Sequence, residues 1–374
     1  MKYFNNLSTI TQLLEAYYKV RLGKRTRPVA LSYDFDLENN LCLLEYLLKN
    51  DRYVPKPYTY FVVTDPKKRH IAAPNFRDRI VHRALVNQIE PVIDKQFIHD
   101  SYACRREKGT HFGLKRIKKF LMAARCINGK TKPIYFLKCD VQKYFQNISW
   151  DILISILEKK IPDADTIKLI KKIITTHKVY KVKGKLTNLP EQVVSITDRR
   201  GIPIGNLTSQ LFANVYLNEL DHYVKHTLKE RWYARYMDDF LIIHADKNHL
   251  VQVRNQIEVF LRERLKLTLH PRKVAIQNVD HGVPFVGYRI FYDHILVYAK
   301  TVRRFRKRLH KRQNMEAKGK FSKAKLKLMC DSFSGHLKHA NSHHLKQILF
   351  RSNKKDQLKR EPKTVKYMQL PLPF

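Results

Sequence analysis

Two adjacent aspartates, Asp238 and Asp239, interrupt a largely apolar stretch, WYARYMDDFLIIH, which runs from Trp232 to His244. Aromatic and β-branched residues of this kind favour strands that bury at least one face. Two like charges side by side oppose each other there, and a bound cation would relieve the repulsion. The stretch therefore predicts a β-hairpin that carries paired carboxylates. A solvated turn is the alternative if these two residues are taken alone.

A third carboxylate, Asp140, ends the apolar strand predicted in PIYFLKCDVQKYFQNIS, about a hundred residues before Asp238. A strand end and a hairpin tip can meet in one sheet, whatever their separation in sequence. Three converging carboxylates are strongly unfavourable without divalent cations. With two hard cations they form an oxygen-ligand site suited to in-line phosphoryl transfer. The three acids therefore predict such a site.

The chain is strongly basic, with 73 Lys and Arg against 33 Asp and Glu, a net charge of +40. Such a surplus favours a polyanionic partner, and nucleic acid is the leading one. An anionic membrane would also attract it, but no run of about 18 apolar residues predicts a spanning helix. The amino-terminal residues lack a signal peptide's apolar core. We therefore expect no membrane partner.

The cysteines are odd in number, scattered, and never in a C-x-x-C pair, which indicates reduced thiols in a cytoplasm. They are Cys42, Cys104, Cys126, Cys139 and Cys330.

Hydrophobic periodicity predicts an α+β chain with a basic, helical carboxyl-terminal region. Helices are expected within residues 1–50, from 78 to 97, from 110, over 151–178, over 206–229, over 246–267 and over 300–327. Strands are expected in YTYFVV, RHIAAP, PIYFLKCD, the hairpin of Asp238, KVAIQNV and VPFVGYRIF, and an exposed hairpin or loop over 179–200.

Several ordered blocks resemble a reverse transcriptase. They are Y-M-D-D after an apolar strand, F-x-x-x-D-V-x-x-x-F upstream and GIPIGNLTSQ between them, together with NFRDRIVHRALVNQIEPV, LKLTLHPRKV and VPFVGYRI. The resemblance covers roughly residues 55–295. It implies a right-hand polymerase: fingers in residues 1–135 with part of 160–204, palm in 136–160 and 205–295, and thumb with a tail in 296–374. It also implies two Mg²⁺ ions, with Mn²⁺ possible, and dNTP substrates.

The block from Gly201 to Gln210 resembles one subtype, the reverse transcriptases of diversity-generating retroelements. Group II intron enzymes usually carry P-Q-G followed by S-P, whereas this chain has Ile204-Gly205 and Ser209-Gln210. The resemblance implies that a template-repeat RNA is copied into cDNA with errors at template adenines, and that the cDNA replaces part of a variable gene. It further implies a small basic accessory protein and a cytoplasmic enzyme of a bacterium, archaeon or phage.

The same resemblance assigns roles to individual residues. Asp140, Asp238 and Asp239 would bind the metals, with the backbone of Val141 facing one ion. Phe145 would lie under the sugar and exclude a 2′-hydroxyl, although it could be core alone. The remaining assignments are Arg69 on the triphosphate, Lys273 near the leaving pyrophosphate or a plain surface lysine, Tyr236 and Met237 at the primer terminus or simple packing, and Arg303, Arg304, Arg306 and Lys307 on the template–primer duplex.

Ile204 departs from the Gln that polymerases of this kind often hold near the nascent base pair. Because isoleucine can only pack, fewer polar contacts would check the pair, which fits an error-prone enzyme. Two rival interpretations stay open. One is another bacterial reverse transcriptase, such as a retron, group II-like or defence-associated enzyme, and the other is a basic RNA-binding scaffold without catalysis.

Overall fold

The computed structural model describes residues 3–64, 67–129, 131–176 and 199–351. The chain forms two compact units, Met1–His281 and Gly282–Phe374. The boundary expected between palm and thumb, at 295/296, falls inside the second unit, and the division into fingers, palm and thumb stays a prediction.

Helices dominate the first part of the first unit. They are α1 (Tyr3–Leu7), α2 (Ile10–Arg21), α3 (Pro28–Asp34), α4 (Leu37–Lys49), α5 (Phe76–Asp94) and α6 (Thr110–Asn128). Helix α2 begins after Thr9, whose side chain accepts a hydrogen bond from the Gln12 amide, as expected of an N-cap. Helix α5 begins after Asn75, which caps it in the same way. It packs against α1, α2 and α3.

A two-stranded antiparallel hairpin, β1 (Thr59–Val63) and β2 (Arg69–Ala73), precedes α5, with Val63 opposite Arg69. This is the hairpin that YTYFVV and RHIAAP predict. Most of β1 is exposed.

A four-stranded antiparallel sheet carries the three aspartates. Its strands are β3 (Tyr135–Asp140), β4 (Trp232–Tyr236), β5 (Asp239–His244) and β6 (Ala275–Asn278), in the order β4-β5-β3-β6. Strand β5 is buried from Phe240 to Ile243, which is why that run is wholly apolar. The sheet therefore has a central pair, β3 and β5, that places Asp140 and Asp239 at the same end.

The remaining helices of the first unit are α7 (Tyr144–Asn147), α8 (Trp150–Lys160), α9 (Ala164–Thr176), α10 (Leu207–His222) and α11 (Lys247–Arg264). The helical structure expected over 151–178 is present as two separate helices, α8 and α9. Pro162 lies between them, and proline disfavours helical backbone in the residue before it. Most of the exposed hairpin or loop expected over 179–200 lies outside the described residues.

The long helix expected from Asn206 is confirmed, with Leu217, Leu220 and Val224 buried on it. Its last turn widens into a π-helix, Tyr223–Thr227.

The second unit has a small antiparallel sheet followed by three helices. The strands are β7 (Val283–Phe285), β8 (Tyr288–Ile290) and β9 (Ile295–Val297), and the helices are α12 (Ala299–Ala317), α13 (Lys323–Leu337) and α14 (His343–Arg351). The buried apolar residues of α12 pack against α13, where the ring of Phe305 stacks on that of Phe333 at 3.7 Å between ring centroids.

The prediction of one continuous helix over 300–327 is wrong. Gly319, with a φ of +67°, lies between α12 and α13 in a backbone conformation that ends helices. None of the helices in the described ranges is long and apolar enough to cross a bilayer. Helices and antiparallel sheets together confirm the α+β class.

Candidate active site

Backbone pairing brings the three aspartates together at one end of the sheet. Asp140 lies directly opposite Asp239 in the register of β3 and β5. The amide of Val141 donates to the carbonyl oxygen of Asp238 at 3.2 Å. Asp140, Val141, Asp238 and Asp239 are therefore neighbours, as the sequence predicts.

The turn between β4 and β5 is only two residues long. Tyr236 pairs with Asp239, so Met237 and Asp238 form the turn. Met237 has a φ of +58°, a left-handed conformation that costs a non-glycine residue roughly 1–3 kcal/mol. Such outliers persist only where surrounding contacts hold them. The Met237–Asp238 turn is therefore strained at the position that presents the acids.

The surroundings of Asp238 and Asp239 disfavour the charged forms of these two carboxylates. Burial raises the pKa of Asp239 to about 6; Lys138 opposes the rise, and Asp140 and Asp238 add to it. Burial also raises the pKa of Asp238, with Asp140 as the second cause. The Oδ1 atom of Asp239 is buried without a hydrogen-bond partner. A buried, unsatisfied carboxylate oxygen beside two further carboxylates fits a hard divalent cation.

Two lysines pair with the acids. The Nζ atom of Lys138 lies 2.8 Å from Asp239 Oδ2, and that of Lys273 lies 2.8 Å from Asp140 Oδ1. Across the described ranges no three His, Cys, Asp or Glu side chains are already arranged around one cation position. A metal at Asp239 Oδ2 or Asp140 Oδ1 therefore has to displace a lysine ammonium group from that oxygen.

The block from Gly201 to Gln210 is hydrogen-bonded to α7 and to β2. The amide of Ile202 donates to the carbonyl of Phe145 at 2.8 Å, and the amide of Ala72 donates to the carbonyl of Ile204 at 3.1 Å. Gly205 has a φ of +118°, and a Cβ atom there would lie 2.8 Å from Ile71 Cγ2. Glycine is therefore required where the block meets β2.

Arg69 opens β2 and is exposed. Burial raises the pKa of Asp238, and the positive charge of Arg69 is among the influences that counteract it. The guanidinium is therefore close enough to the acids for its charge to be felt there.

The other predicted residues of the first unit differ in how far they are exposed. Phe145 is partly buried, and its ring meets that of Tyr144 edge-on at 5.6 Å between centroids. Tyr236 and Met237 are also partly exposed and adjoin the acids in the chain. Ser209 is buried in the first turn of α10, while Gln210 is partly exposed. Their roles stay predictions.

Four residues of the second unit, Arg303, Arg304, Arg306 and Lys307, are all exposed on α12, and we call them the basic cluster. Buried Val302 and Phe305 occupy the other face of the same turns. This arrangement is the one expected for a basic outer face.

Two residues at the site were missed. Lys138 precedes Asp140 by two positions, and period-2 alternation in a strand places both side chains on one face, so its proximity was available from the pattern. Arg235 is fully buried and donates to the carbonyl of Met237 at 3.1 Å. An arginine inside an apolar strand run was the only signal for it.

Several known proteins are similar to this chain in sequence. Protein YkfC of Escherichia coli is 28% identical over 284 residues, covering 67% of this chain and 71% of that protein. The group II intron-encoded protein LtrA of Lactococcus lactis subsp. cremoris is 24% identical over 316 residues, covering 65% of this chain and only 48% of LtrA. The chain thus spans about half the length of LtrA.

Among solved structures, the telomerase of Candida albicans in complex with a TWJ fragment of telomeric RNA matches with a TM-score of 0.48 and 15% identity. It covers 67% of this chain and 46% of that one. The family model described as reverse transcriptase (RNA-dependent DNA polymerase) matches residues 54–290, more than half of the 374 residues. The chain therefore belongs to the reverse transcriptase family, which confirms the predicted fold class and enzyme class.

Proposed function

We propose that this protein copies RNA into DNA by metal-dependent nucleotidyl transfer at Asp140, Asp238 and Asp239. The observation that carries the proposal is the register that sets Asp140 opposite Asp239, with Asp238 in the adjoining turn. The three carboxylates and the carbonyl of Val141 would hold two Mg²⁺ ions, or Mn²⁺ in their place. When bound, such ions lower the pKa of the primer 3′-hydroxyl and stabilise negative charge on the triphosphate and pyrophosphate.

The chain's own residues would orient the nucleotide. Arg69, at the start of β2, would grip the triphosphate with its planar guanidinium. Lys273, 43% exposed and paired with Asp140, would be free to turn toward the leaving pyrophosphate. Phe145 would close the space beside the sugar 2′ position, and Tyr236 and Met237 would contact the primer terminus.

The duplex of template RNA and cDNA would be held mainly through its phosphates. The basic cluster on α12 presents four exposed cations on one helix, within a chain of net charge +40. In this proposal residues 1–135 with part of 160–204 supply the fingers, residues 136–160 and 205–295 the palm, and residues 296–374 the thumb and tail.

We further propose that the template is a repeat RNA of a diversity-generating retroelement, copied with errors at adenines with the help of a small basic accessory protein. The support is the block with Ile204, Gly205, Ser209 and Gln210. The similarity to LtrA favours a second candidate, a group II-like reverse transcriptase.

Primer extension on a defined RNA tests the polymerase proposal. The wild-type protein should extend a DNA primer with Mg²⁺ or Mn²⁺, and Asp140→Asn or Asp238→Asn should abolish extension while RNA binding persists. Full activity in either variant contradicts the assignment, and an inactive wild type that still binds RNA favours the scaffold interpretation.

Sequencing the cDNA tests the subtype. Substitutions concentrated opposite template adenine support the diversity-generating proposal. An even, low error spectrum favours the group II-like candidate.

A further inference from the structure

Arg235 lies in the interior of the first unit, where an arginine is unusual. Its side chain and that of Asp221, on α10, are both 0% exposed. The pair is bidentate, with Nε to Oδ1 at 2.7 Å and Nη2 to Oδ2 at 2.6 Å. The hydroxyl of Tyr233 also donates to Asp221 Oδ1, at 2.7 Å. The carboxylate is thus well satisfied by these two residues.

One nitrogen of Arg235 is directed elsewhere. Nη1 donates to the carbonyl oxygen of Met237 at 3.1 Å and to Asn214 Oδ1 at 3.1 Å. Met237 is the residue with positive φ in the turn that presents Asp238 and Asp239. The guanidinium of Arg235 therefore holds the strained turn through a hydrogen bond to the turn's backbone.

Further hydrogen bonds fix the position of Arg235. Besides Asp221, Asn214 on α10 donates from Nδ2 to the carbonyl of Ala103 at 2.7 Å. The backbone of Arg235 is bonded to the segment before Ala103: its amide donates to the Asp100 carbonyl, and its carbonyl accepts from the Tyr102 amide, each at 3.0 Å. A displacement of Arg235 is therefore resisted by α10 and by this segment together.

Stability alone does not account for such a pair. Removing two charges from water costs about as much free energy as their mutual attraction provides. Apolar residues of similar size are often at least as stabilising. What an apolar residue cannot supply is a fixed donor aimed at the Met237 carbonyl. Arginine supplies it because its planar fork can bind Asp221 with one edge while a further N–H points to the turn.

We infer that Arg235 is a positioning residue, which fixes the Met237–Asp238 turn and thereby sets the places of the Asp238 and Asp239 carboxylates. The inference rests on the proposed polymerase function. A misplacement of about 1 Å in a catalytic group can cost about 10²-fold in rate. Without the hydrogen bond to Met237, kcat should therefore fall about 100-fold, while the KM for the nucleotide changes less than about threefold.

The test needs variants that keep the fold. Arg235→Met alone leaves the charge of Asp221 buried and unpaired, so the main variant is Arg235→Met with Asp221→Asn, which removes both charges and leaves an acceptor for Tyr233. The chain offers a control of the same residue types in Arg21 and Asp34, whose side chains are 27% and 16% exposed rather than fully buried. Arg21 Nε lies 2.7 Å from Asp34 Oδ2, and Tyr17 donates to the same carboxylate, but this trio lies on α2 and α3. The control variant is Arg21→Met with Asp34→Asn.

Three measurements separate positioning from general stability. The first is single-nucleotide insertion, for kcat and KM. The second is hydrogen exchange at the Val141 amide, which donates to Asp238, measured in EDTA. The third is the melting temperature. We expect the Arg235 double variant to lose about 100-fold in kcat and to exchange at Val141 at least about tenfold faster. Its exchange in α5 and its melting temperature should stay close to those of the wild type, because neutral residues of similar size often replace a buried ion pair without loss of stability.

Two results would overturn the inference. One is a kcat within about threefold of the control variant together with unchanged exchange at Val141. The other is faster exchange throughout the first unit, which would make Arg235 a structural residue only. If the wild type proves inactive, the polymerase proposal fails by itself, and exchange at Val141 in the metal-free protein still decides whether Arg235 fixes the turn.

Discussion

Replacing Asp239 by asparagine should make the metal-free protein more stable at neutral pH, although Asp239 is one of the three acids. Burial is the first cause of its raised pKa, which stands at about 6 against an ordinary 3.8, even with Lys138 paired to it. The fold therefore disfavours the charged form. The favourable contribution of the neutral carboxyl is fully present below about pH 4 and is lost as the pH rises through about 6.

The size of the effect follows from the shift. Two pKa units correspond to about 3 kcal/mol, since each unit is about 1.36 kcal/mol. A neutral amide avoids that cost at pH 8, but its own unsatisfied atoms give back roughly 1–2 kcal/mol. We expect a net gain of about 1–2 kcal/mol, or roughly 1–4 °C in melting temperature for a chain of this size.

Thermal or urea unfolding in EDTA at pH 8 and at pH 4 measures this gain. Asp151→Asn is the control, because Asp151 is 65% exposed in the same unit and should change stability little. The gain of Asp239→Asn should vanish at pH 4, where the wild-type carboxyl is protonated. Adding Mg²⁺ at pH 8 should stabilise the wild type more than the variant. A variant less stable than the wild type at pH 8, or an equal gain at both pH values, would refute the reasoning.

Four further outcomes can be checked. Phe145→Ala should incorporate ribonucleotides much more readily than the wild type, and a folded variant that still excludes them would make the ring core only. Ile204→Gln should lower misincorporation opposite template adenine several-fold in single-nucleotide insertion, since one added hydrogen bond contributes about 0.5–1.5 kcal/mol; equal error ratios would remove Ile204 from the fidelity argument. Gly205→Ala, with its Cβ 2.8 Å from Ile71 Cγ2, should raise the nucleotide KM several-fold by displacing β2 and Arg69, and an unchanged KM would contradict this. Replacing the basic cluster by glutamines should flatten the salt dependence of duplex binding by roughly one log–log unit for each phosphate that the protein no longer neutralises, and an unchanged slope would place the duplex elsewhere.

The meeting of the three acids was predictable because Asp140 ends and Asp239 begins a strongly apolar strand, with Asp238 in the turn just before it. In an antiparallel sheet, such a strand end and hairpin tip meet at one end. Helix α10 was predictable from the helical spacing of its leucines Leu217 and Leu220, although it is buried on nearly every side. Local pattern was sufficient where the apolar residues of a segment had a clear period or formed a continuous run.

Other features depend on tertiary packing that no local pattern contains. The helices are interrupted between α8 and α9, where a proline lies, and between α12 and α13, where a glycine lies. The apolar or basic periodicity continues across both breaks, so the pattern alone did not locate them. The network of Arg235 joins β4 to α10 and to the segment at Asp100, and only the packing of these elements determines that register. The pairing of Lys273 with Asp140 joins residues 133 apart in sequence, at the exposed rim of the sheet.

The two lysine pairs differ in a way that orders the acids. Lys273 is 43% exposed, so its pair with Asp140 is screened by water and is worth about 0–1 kcal/mol. Lys138 is 21% exposed and its partner Asp239 only 25%, so this pair is less screened and harder to separate. A cation that approaches the site therefore displaces the Lys273 ammonium from Asp140 more easily than the Lys138 ammonium from Asp239. In the proposed mechanism, Asp140 would accordingly exchange Lys273 for metal first, while Asp239 would bind through its unpartnered Oδ1 and keep Oδ2 on Lys138.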